Sequence, residues 1–232
     1  MSASCSDCAV RDRALCSALS ADEVDALGRL SRRRHLAAGS TLVWEGDDNA
    51  ICGNLTSGVL RVDSSTAEGQ TQTVAILYPA DFVGRPYATD VGQTITALTD
   101  AEMCIFTRPA FEQALASFAG LENQLLRRTL QSLDDSRAAQ LRLGRKSAPA
   151  RVADFLLDTA KRMAAGDCRA AGIIHRFDLP LTRGEIADVL GLTIETVSRQ
   201  FTKLASAGLI ELDGRRGMII RDPARLARAA EG

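Results

Sequence analysis

Histidine is almost missing from this chain: His35 and His175 are the only two in 232 residues. Aromatic residues are scarce as well, at 4%, with a single tryptophan. No apolar run approaches the roughly 18 residues that a membrane-crossing helix needs, which excludes a spanning segment of that kind. The first twenty residues carry Cys5, Asp7, Asp12 and Arg13 and lack the apolar core of a secretion signal. A cytoplasmic protein with no membrane partner is therefore expected. No Ser/His/Asp grouping, phosphate-cradling loop or paired-carboxylate motif stands out, and so few histidines offer little acid–base chemistry. An enzyme is not expected. A positive excess is also lacking, since 28 Lys+Arg face 29 Asp+Glu for a net charge of -1.

That balance is uneven along the chain. Residues 145–232 hold 15 Lys+Arg against 11 Asp+Glu, a net of +4, which leaves 13 against 18, a net of -5, for residues 1–144. A phosphate-facing half is favoured by such a sign, though only mildly. Residues 1–19 read as an irregular, cysteine-bearing segment. Ser20 followed by Glu23 is a capping-box start, with Val24, Leu27 and Leu30 at helical spacing. Residues 36–106 alternate β-prone stretches with glycine turns: Thr41–Trp44, Val59–Val62, Thr71–Leu77 and Thr94–Leu98. This pattern predicts a small antiparallel barrel or roll. From Leu121 to Leu143 nothing breaks a helix, and Leu121, Leu125, Leu130, Leu133 and Leu141 are expected on one stripe, suited to a dimer seam. Gly144 and Pro149 are expected to end it.

The most informative stretch is LTRGEIADVLGLTIETVSRQFTKLASAG, residues 181–208. Thr182 and Glu185 form a second capping box, Ile186, Val189 and Leu190 an apolar face, and Gly191 a break. Thr193 can cap a second helix that turns Ile194, Val197, Phe201 and Leu204 inward until Gly208. Two short helices around a glycine turn are the helix-turn-helix pattern. Glu195, Thr196, Ser198, Arg199 and Lys203 then face outward. Arg can grip guanine O6 and N7, and Glu can accept from cytosine N4. A Glu/Arg pair four apart is by itself a common solvated feature worth a few tenths of a kcal/mol. The residues after Gly208 shift the weight: two short strands around Asp213-Gly214, with Arg215 and Arg216 at the tip, read as a wing able to hold phosphate. Double-stranded DNA is the partner these residues predict, touched by Thr182, Arg183, Thr193, Glu195, Thr196, Ser198, Arg199, Lys203, Arg215 and Arg216.

These residues, with GSTLVWEGD near the start of the β-rich region, resemble the Crp/Fnr superfamily of bacterial transcription regulators over nearly the whole length. The resemblance implies an α+β architecture: a cysteine-rich segment (1–19), a cyclic-nucleotide-binding-like antiparallel β-roll (20–118), a dimerisation helix (119–145) and a winged helix-turn-helix (146–232). It implies a homodimer on an inverted repeat with TTGAT-like half-sites, read by Glu195, Ser198 and Arg199, and a contact with RNA polymerase. Members that bind cyclic AMP place a glutamate after a roll glycine and a later arginine at the phosphate. In DFVGRPYATDVGQTITAL, Arg85 follows Gly84 and Gln93-Thr94 stands where the arginine is expected, so no cyclic nucleotide is expected.

Six cysteines remain: Cys5, Cys8, Cys16, Cys52, Cys104 and Cys168. Cys5, Cys8 and Cys16, spaced C-x2-C-x7-C, are close enough to wrap one inorganic centre and need a fourth ligand from elsewhere. The pattern resembles the Fnr-type, oxygen-responsive branch, which adds one late roll cysteine, here Cys104 in TDAEMCIF. The resemblance implies a [4Fe-4S] cluster on Cys5, Cys8, Cys16 and Cys104. A zinc site on the same thiolates or a thiol-redox pair stays open. Cys52 and Cys168 lack partners at ligand spacing and read as structural.

Overall fold

Ser20 opens the first long element. Its hydroxyl accepts from the Glu23 N–H, its own N–H donates to the Glu23 carboxylate at 2.8 Å, and α1 runs Ala21–Leu30. The structure is a computed structural model that describes Cys5, residues 8–165 and residues 176–232; Cys168 and His175 lie outside the described residues. The cysteine segment, expected to be irregular, contains one turn of 3-10 helix at Leu15–Ala18. Among the described residues no helix is long and apolar enough to cross a membrane.

Eight strands come next: β1 (Arg32–Leu36), β2 (Thr41–Val43), β3 (Ile51–Ser57), β4 (Leu60–Ser65), β5 (Thr71–Leu77), β6 (Phe82–Val83), β7 (Thr94–Ala97) and β8 (Ala101–Thr107). They pair antiparallel into two four-stranded sheets, ordered β1-β8-β3-β6 and β2-β7-β4-β5, which is the expected roll. Alternation along each strand sends Leu36, Leu55, Val83 and Met103 of one sheet against Leu42, Leu60 and Ala97 of the other, building one core.

The other face of the first sheet builds a second core. There Cys52 and Phe106 lie under α1, α2 (Arg108–Ser117), Leu15 and Leu19 of the cysteine segment, and the start of α3 (Ala119–Arg145). Phe111 is its centre, fully buried, with its ring 5.1 Å from that of Phe82 and 5.5 Å from that of Phe106.

Helix α3 corrects two expectations. Leu121 is completely buried in this second core and Leu125 packs against it, whereas Leu126, Leu130, Leu133 and Leu141 are 56%, 53%, 45% and 65% exposed. The expected single stripe is therefore two. Successive residues are rotated by about 100° at 3.6 per turn, so Leu121/Leu125 and Leu126/Leu130/Leu133 look in different directions. The helix ends at Arg145, one residue past Gly144, but Pro149 does not end it: it stands in the first turn of α4 (Ala148–Ala165), where a missing N–H costs nothing.

Beyond α4 come β9 (Arg176–Asp178), α5 (Arg183–Leu190), α6 (Ile194–Ser206), β10 (Ile210–Asp213), β11 (Gly217–Ile220) and α7 (Pro223–Glu231). The wing is a three-stranded sheet ordered β10-β11-β9; the sequence suggested only two of these strands. The chain forms two compact units, Met1–Leu133 and Asp134–Gly232. Because Leu121 fills the second core without contacting solvent, Leu121→Ala should lower the unfolding free energy of the first unit by about 2–5 kcal/mol, measured by urea denaturation.

Candidate nucleic-acid interface and cysteine site

The helix-turn-helix is built as its residues dictate. Thr182 caps α5, accepting from the Glu185 N–H while the Glu185 carboxylate takes the Thr182 N–H at 2.7 Å. Gly191 ends α5 at φ 59°, a left-handed conformation that glycine adopts without penalty. Thr193 caps α6 by accepting from the Thr196 N–H and donates its hydroxyl to Thr196 Oγ1 at 3.2 Å. Both threonine hydroxyls are thus engaged in capping. Ile186 and Leu190 of α5 and Val197, Phe201 and Leu204 of α6 are buried between the helices as expected. Ile194 is not. It is 48% exposed at the first position of α6, where its side chain lies beside Gly184 of α5.

Glu195, Ser198, Arg199 and Lys203 are exposed along α6, with Thr196 half-buried beside them. Glu195 and Arg199 make no ion pair with each other among the described residues, so the solvated-pair interpretation loses its support. The Glu195 carboxyl is held below the usual carboxylate range by its own backbone N–H and then by the Thr193 hydroxyl. It is an ionised acceptor at neutral pH. Arg183 behaves differently from the other members of the expected set. Its guanidinium lies 3.2 Å over the Phe201 ring centre, and burial lowers its pKa to about 10. It braces α5 against α6.

The wing turns at Gly214, φ 67°, with Asp213 opposite Gly217 in register and Arg215 and Arg216 exposed beyond. Elsewhere on this sheet arginines are neutralised: Arg221 pairs with Glu211 and Arg176 with Asp213. Arg199, Lys203, Arg215 and Arg216 have no carboxylate partner among the described residues. Behind the two helices Arg151 gathers backbone acceptors, donating to the Leu190 carbonyl at the end of α5 at 3.1 Å, to Lys146 at 3.0 Å and to Leu143 of α3. One side chain thus fastens the last turn of α3 to the reading motif.

The cysteine site belongs to the first unit. Cys104 sits on β8, opposite Asn54 of β3 and Arg33 of β1. Cys5, Cys16 and Cys104 all pack against the second core, and Cys8 and Cys16 against Val10, Ala14 and Ala80. Burial pushes the Cys16 thiol up to about 11, with Cys8, Cys104 and Cys5 adding repulsion. Cys104 is raised first by burial and then by Cys5 and Cys8, against the Ser31 hydroxyl and Arg33. Cys5 is raised by burial and by Cys8. The Cys5, Cys16 and Cys104 thiols, each raised by burial and by neighbouring cysteines, share one region with Cys8, yet among the described residues no three His, Cys, Asp or Glu groups stand at metal-holding distances. Two further observations bear on whether this region fits an inorganic centre. Asn54, buried on the same sheet face as Cys104, has an Oδ1 with no protein partner. Gly28 of α1 lies so near Cys5 that a Cβ there would stand 2.7 Å from Sγ. An all-thiolate donor set with space reserved around it fits a soft metal centre in kind.

Cys52, by contrast, is buried with its thiol pushed up to about 12 by burial, and Gly84 presses against it. Arg85 covers Gly92 so closely that a Cβ there would collide with its guanidinium.

Arg183→Ala should destabilise the second unit by about 1–2 kcal/mol in thermal or urea unfolding, while Arg199→Ala should leave its stability within roughly 0.5 kcal/mol. Because thiolate is the reacting form and Cys52 stays protonated below about 12, iodoacetamide at pH 8 should leave Cys52 unmodified in the folded protein, read by peptide mass.

Comparison with known proteins agrees with this geometry. The Crp-like helix-turn-helix domain profile matches residues 150–229, and the cyclic nucleotide-binding domain profile matches residues 33–118. The transcriptional activator protein FnrL of Cereibacter sphaeroides is 40% identical over 226 residues, covering 97% of this chain and 91% of its own. The nitrogen fixation regulation protein FixK of Bradyrhizobium diazoefficiens is 35% identical over 226 residues, covering 97% and 93%. Among solved structures, FixK2 from Bradyrhizobium japonicum superposes with a TM-score of 0.77 at 26% identity, over 86% of this chain and 96% of that one. With both domain models matched and relatives of 35–40% identity along nearly its whole length, the chain belongs to the Crp/Fnr family of DNA-binding transcription regulators.

Proposed function

We propose that the chain is a cytoplasmic, oxygen-sensing regulator that binds inverted-repeat DNA as a homodimer while a [4Fe-4S] cluster is held by Cys5, Cys8, Cys16 and Cys104. On this reading residues 1–19 hold the cluster, 20–118 form the sensory roll, 119–145 the dimer seam and 146–232 the DNA-binding domain. The observation that carries it is the gathering of four thiols from two distant parts of the chain beside the core that also receives α3. When bound, the cluster supplies an oxygen-labile link between the cysteine segment and β8.

The protein's own residues carry the consequence to α3. Leu15 and Leu19 share the second core with Leu121 and Leu125, Arg128 of α3 donates to the Arg13 carbonyl, and Gly120 lies against the Ala18 carbonyl. A cysteine segment freed from β8 loosens these contacts and with them the direction in which Leu126, Leu130, Leu133 and Leu141 are offered to a second copy. That stripe is apolar and exposed, as a dimer seam requires before its partner arrives. Since two half-sites must be held together, dimer and DNA affinity fall in step.

At the DNA, Arg199 and Glu195 read a G·C pair and its neighbours in a TTGAT-like half-site, and Ser198 is small enough to let α6 approach. Ile194, exposed at the entry of α6, offers an apolar contact to a thymine methyl. Lys203, Arg215 and Arg216 hold phosphates, and Thr182, Thr193 and Thr196 stiffen the helix ends beside them; Arg183 stays on Phe201. A surface for RNA polymerase completes the reading. With Arg85 folded over Gly92 and no acidic residue after Gly84, no cyclic nucleotide is bound.

A second reading, a Crp/Fnr regulator whose thiols bind zinc or oxidise directly, draws on the same four cysteines, since thiolates also serve tetrahedral zinc and thiol oxidation. Anaerobic purification separates the two. The cluster reading expects brown protein with iron and acid-labile sulfide and DNA affinity lost in air; colourless, zinc-loaded protein with air-stable binding would overturn it. In gel shifts, Arg199→Ala should cost roughly 1–3 kcal/mol on an inverted-repeat site and relax sequence preference. Arg215→Ala should weaken specific and random DNA alike and flatten the salt dependence by about one unit of slope.

A further inference from the structure

The C-terminal turn of α1 faces the cysteine site with two groups to which the function above gives no task. Gly28 leaves the Cys5 sulfur a place that any side chain would fill, with a Cβ only 2.7 Å from Sγ. Three residues on, the Ser31 hydroxyl donates to the Gly28 carbonyl at 2.8 Å; Ser31 is extended and lies two residues before Arg33, the register partner of Cys104, which puts it on the Cys104 side of the sheet. The same carbonyl also accepts from the Ser31 N–H at 3.1 Å, so it keeps a partner if the hydroxyl turns away. A hydroxyl choosing between a neutral carbonyl and an anionic sulfur gains more from the sulfur, since charge-assisted hydrogen bonds are roughly twice as strong.

We propose that Ser31 is a tuning and positioning residue for the metal centre, its hydroxyl swinging from the Gly28 carbonyl to the metal-bound Cys104 sulfur, while Gly28 keeps the seat of Cys5 open. This rests on the cluster reading above. Hydrogen bonds to ligand sulfurs are among the controls on an iron–sulfur potential, because they favour the more negative state. Without the Ser31 bond the loaded protein is easier to oxidise.

The test uses the full chain reconstituted under nitrogen with ferrous iron and sulfide, as wild type, Ser31→Ala, Ser31→Thr and Gly28→Ala. Ser31→Ala should load iron and sulfide as the wild type does, yet show a more negative midpoint potential and a several-fold faster loss of visible absorbance in air-saturated buffer. Ser31→Thr, which restores the hydroxyl, should return both toward wild type. Gly28→Ala should load less iron although its metal-free form melts no lower, since alanine suits a helix better than glycine. Equal potentials and decay rates for fully loaded wild type and Ser31→Ala overturn the role of Ser31 alone. Full loading of Gly28→Ala overturns that of Gly28. A wild type that takes up no iron and sulfide overturns the cluster reading and this inference with it.

Discussion

Everything the first unit does depends on one patch of apolar surface, the outer face of the sheet that contains β3 and β8. Phe111 fills its middle, and three separate pieces of chain compete to cover it: α1, the cysteine segment through Leu15 and Leu19, and α3 through Leu121 and Leu125. Close-packed interiors do not deform gradually, so pieces that share a core share its fate. The cysteine segment and the root of α3 are neighbours here because both pack on the same hydrophobic face, with the hydrogen bond from Arg128 to the Arg13 carbonyl beside it.

In the second unit the governing quantity is which charges have been spent. Arg176 and Arg221 are paired on the wing sheet, Arg183 is stacked on Phe201, and Arg151 is consumed by carbonyls. Arg199, Lys203, Arg215 and Arg216, without a carboxylate partner among the described residues, lie on the second helix and the wing tip. A chain with a net charge of -1 can still present a phosphate-seeking surface when structural pairs absorb many of its other cations.

Features that depend on a few adjacent residues were legible from the sequence. Ser20/Glu23 and Thr182/Glu185 are reciprocal caps because the chemistry is local, and Gly191 and Gly214 turn where left-handed backbone is needed. Features that depend on a remote neighbour were not. Helical rotation alone sets Leu130 on the side of α3 opposite Leu121, so the split was within reach of the sequence; that the Leu121 side meets a core made by Phe111 and Leu15 was not. Ile194 matched the apolar register of α6 yet stays half exposed at its first position, beside Gly184 of α5. The tasks of Arg151 and Arg183 need acceptors and a ring distant in sequence. Of the cysteine region, the spacing of Cys5, Cys8, Cys16 and Cys104 stood out in the sequence, whereas Gly28 and Ser31 carry no motif and are visible only through what they touch.

The first sheet ends at β1, which pairs with no further strand among the described residues. Arg32, Arg33, Arg34 and His35 succeed one another along it, with Arg32 and Arg33 exposed. A strand from another molecule adding at this rim would bring a second copy of the same cations to within about 5 Å of the first. Sheet-to-sheet stacking is thereby discouraged whatever becomes of the thiols behind it. A rim charged in this way keeps the sheet from becoming a template for edge-to-edge clumping.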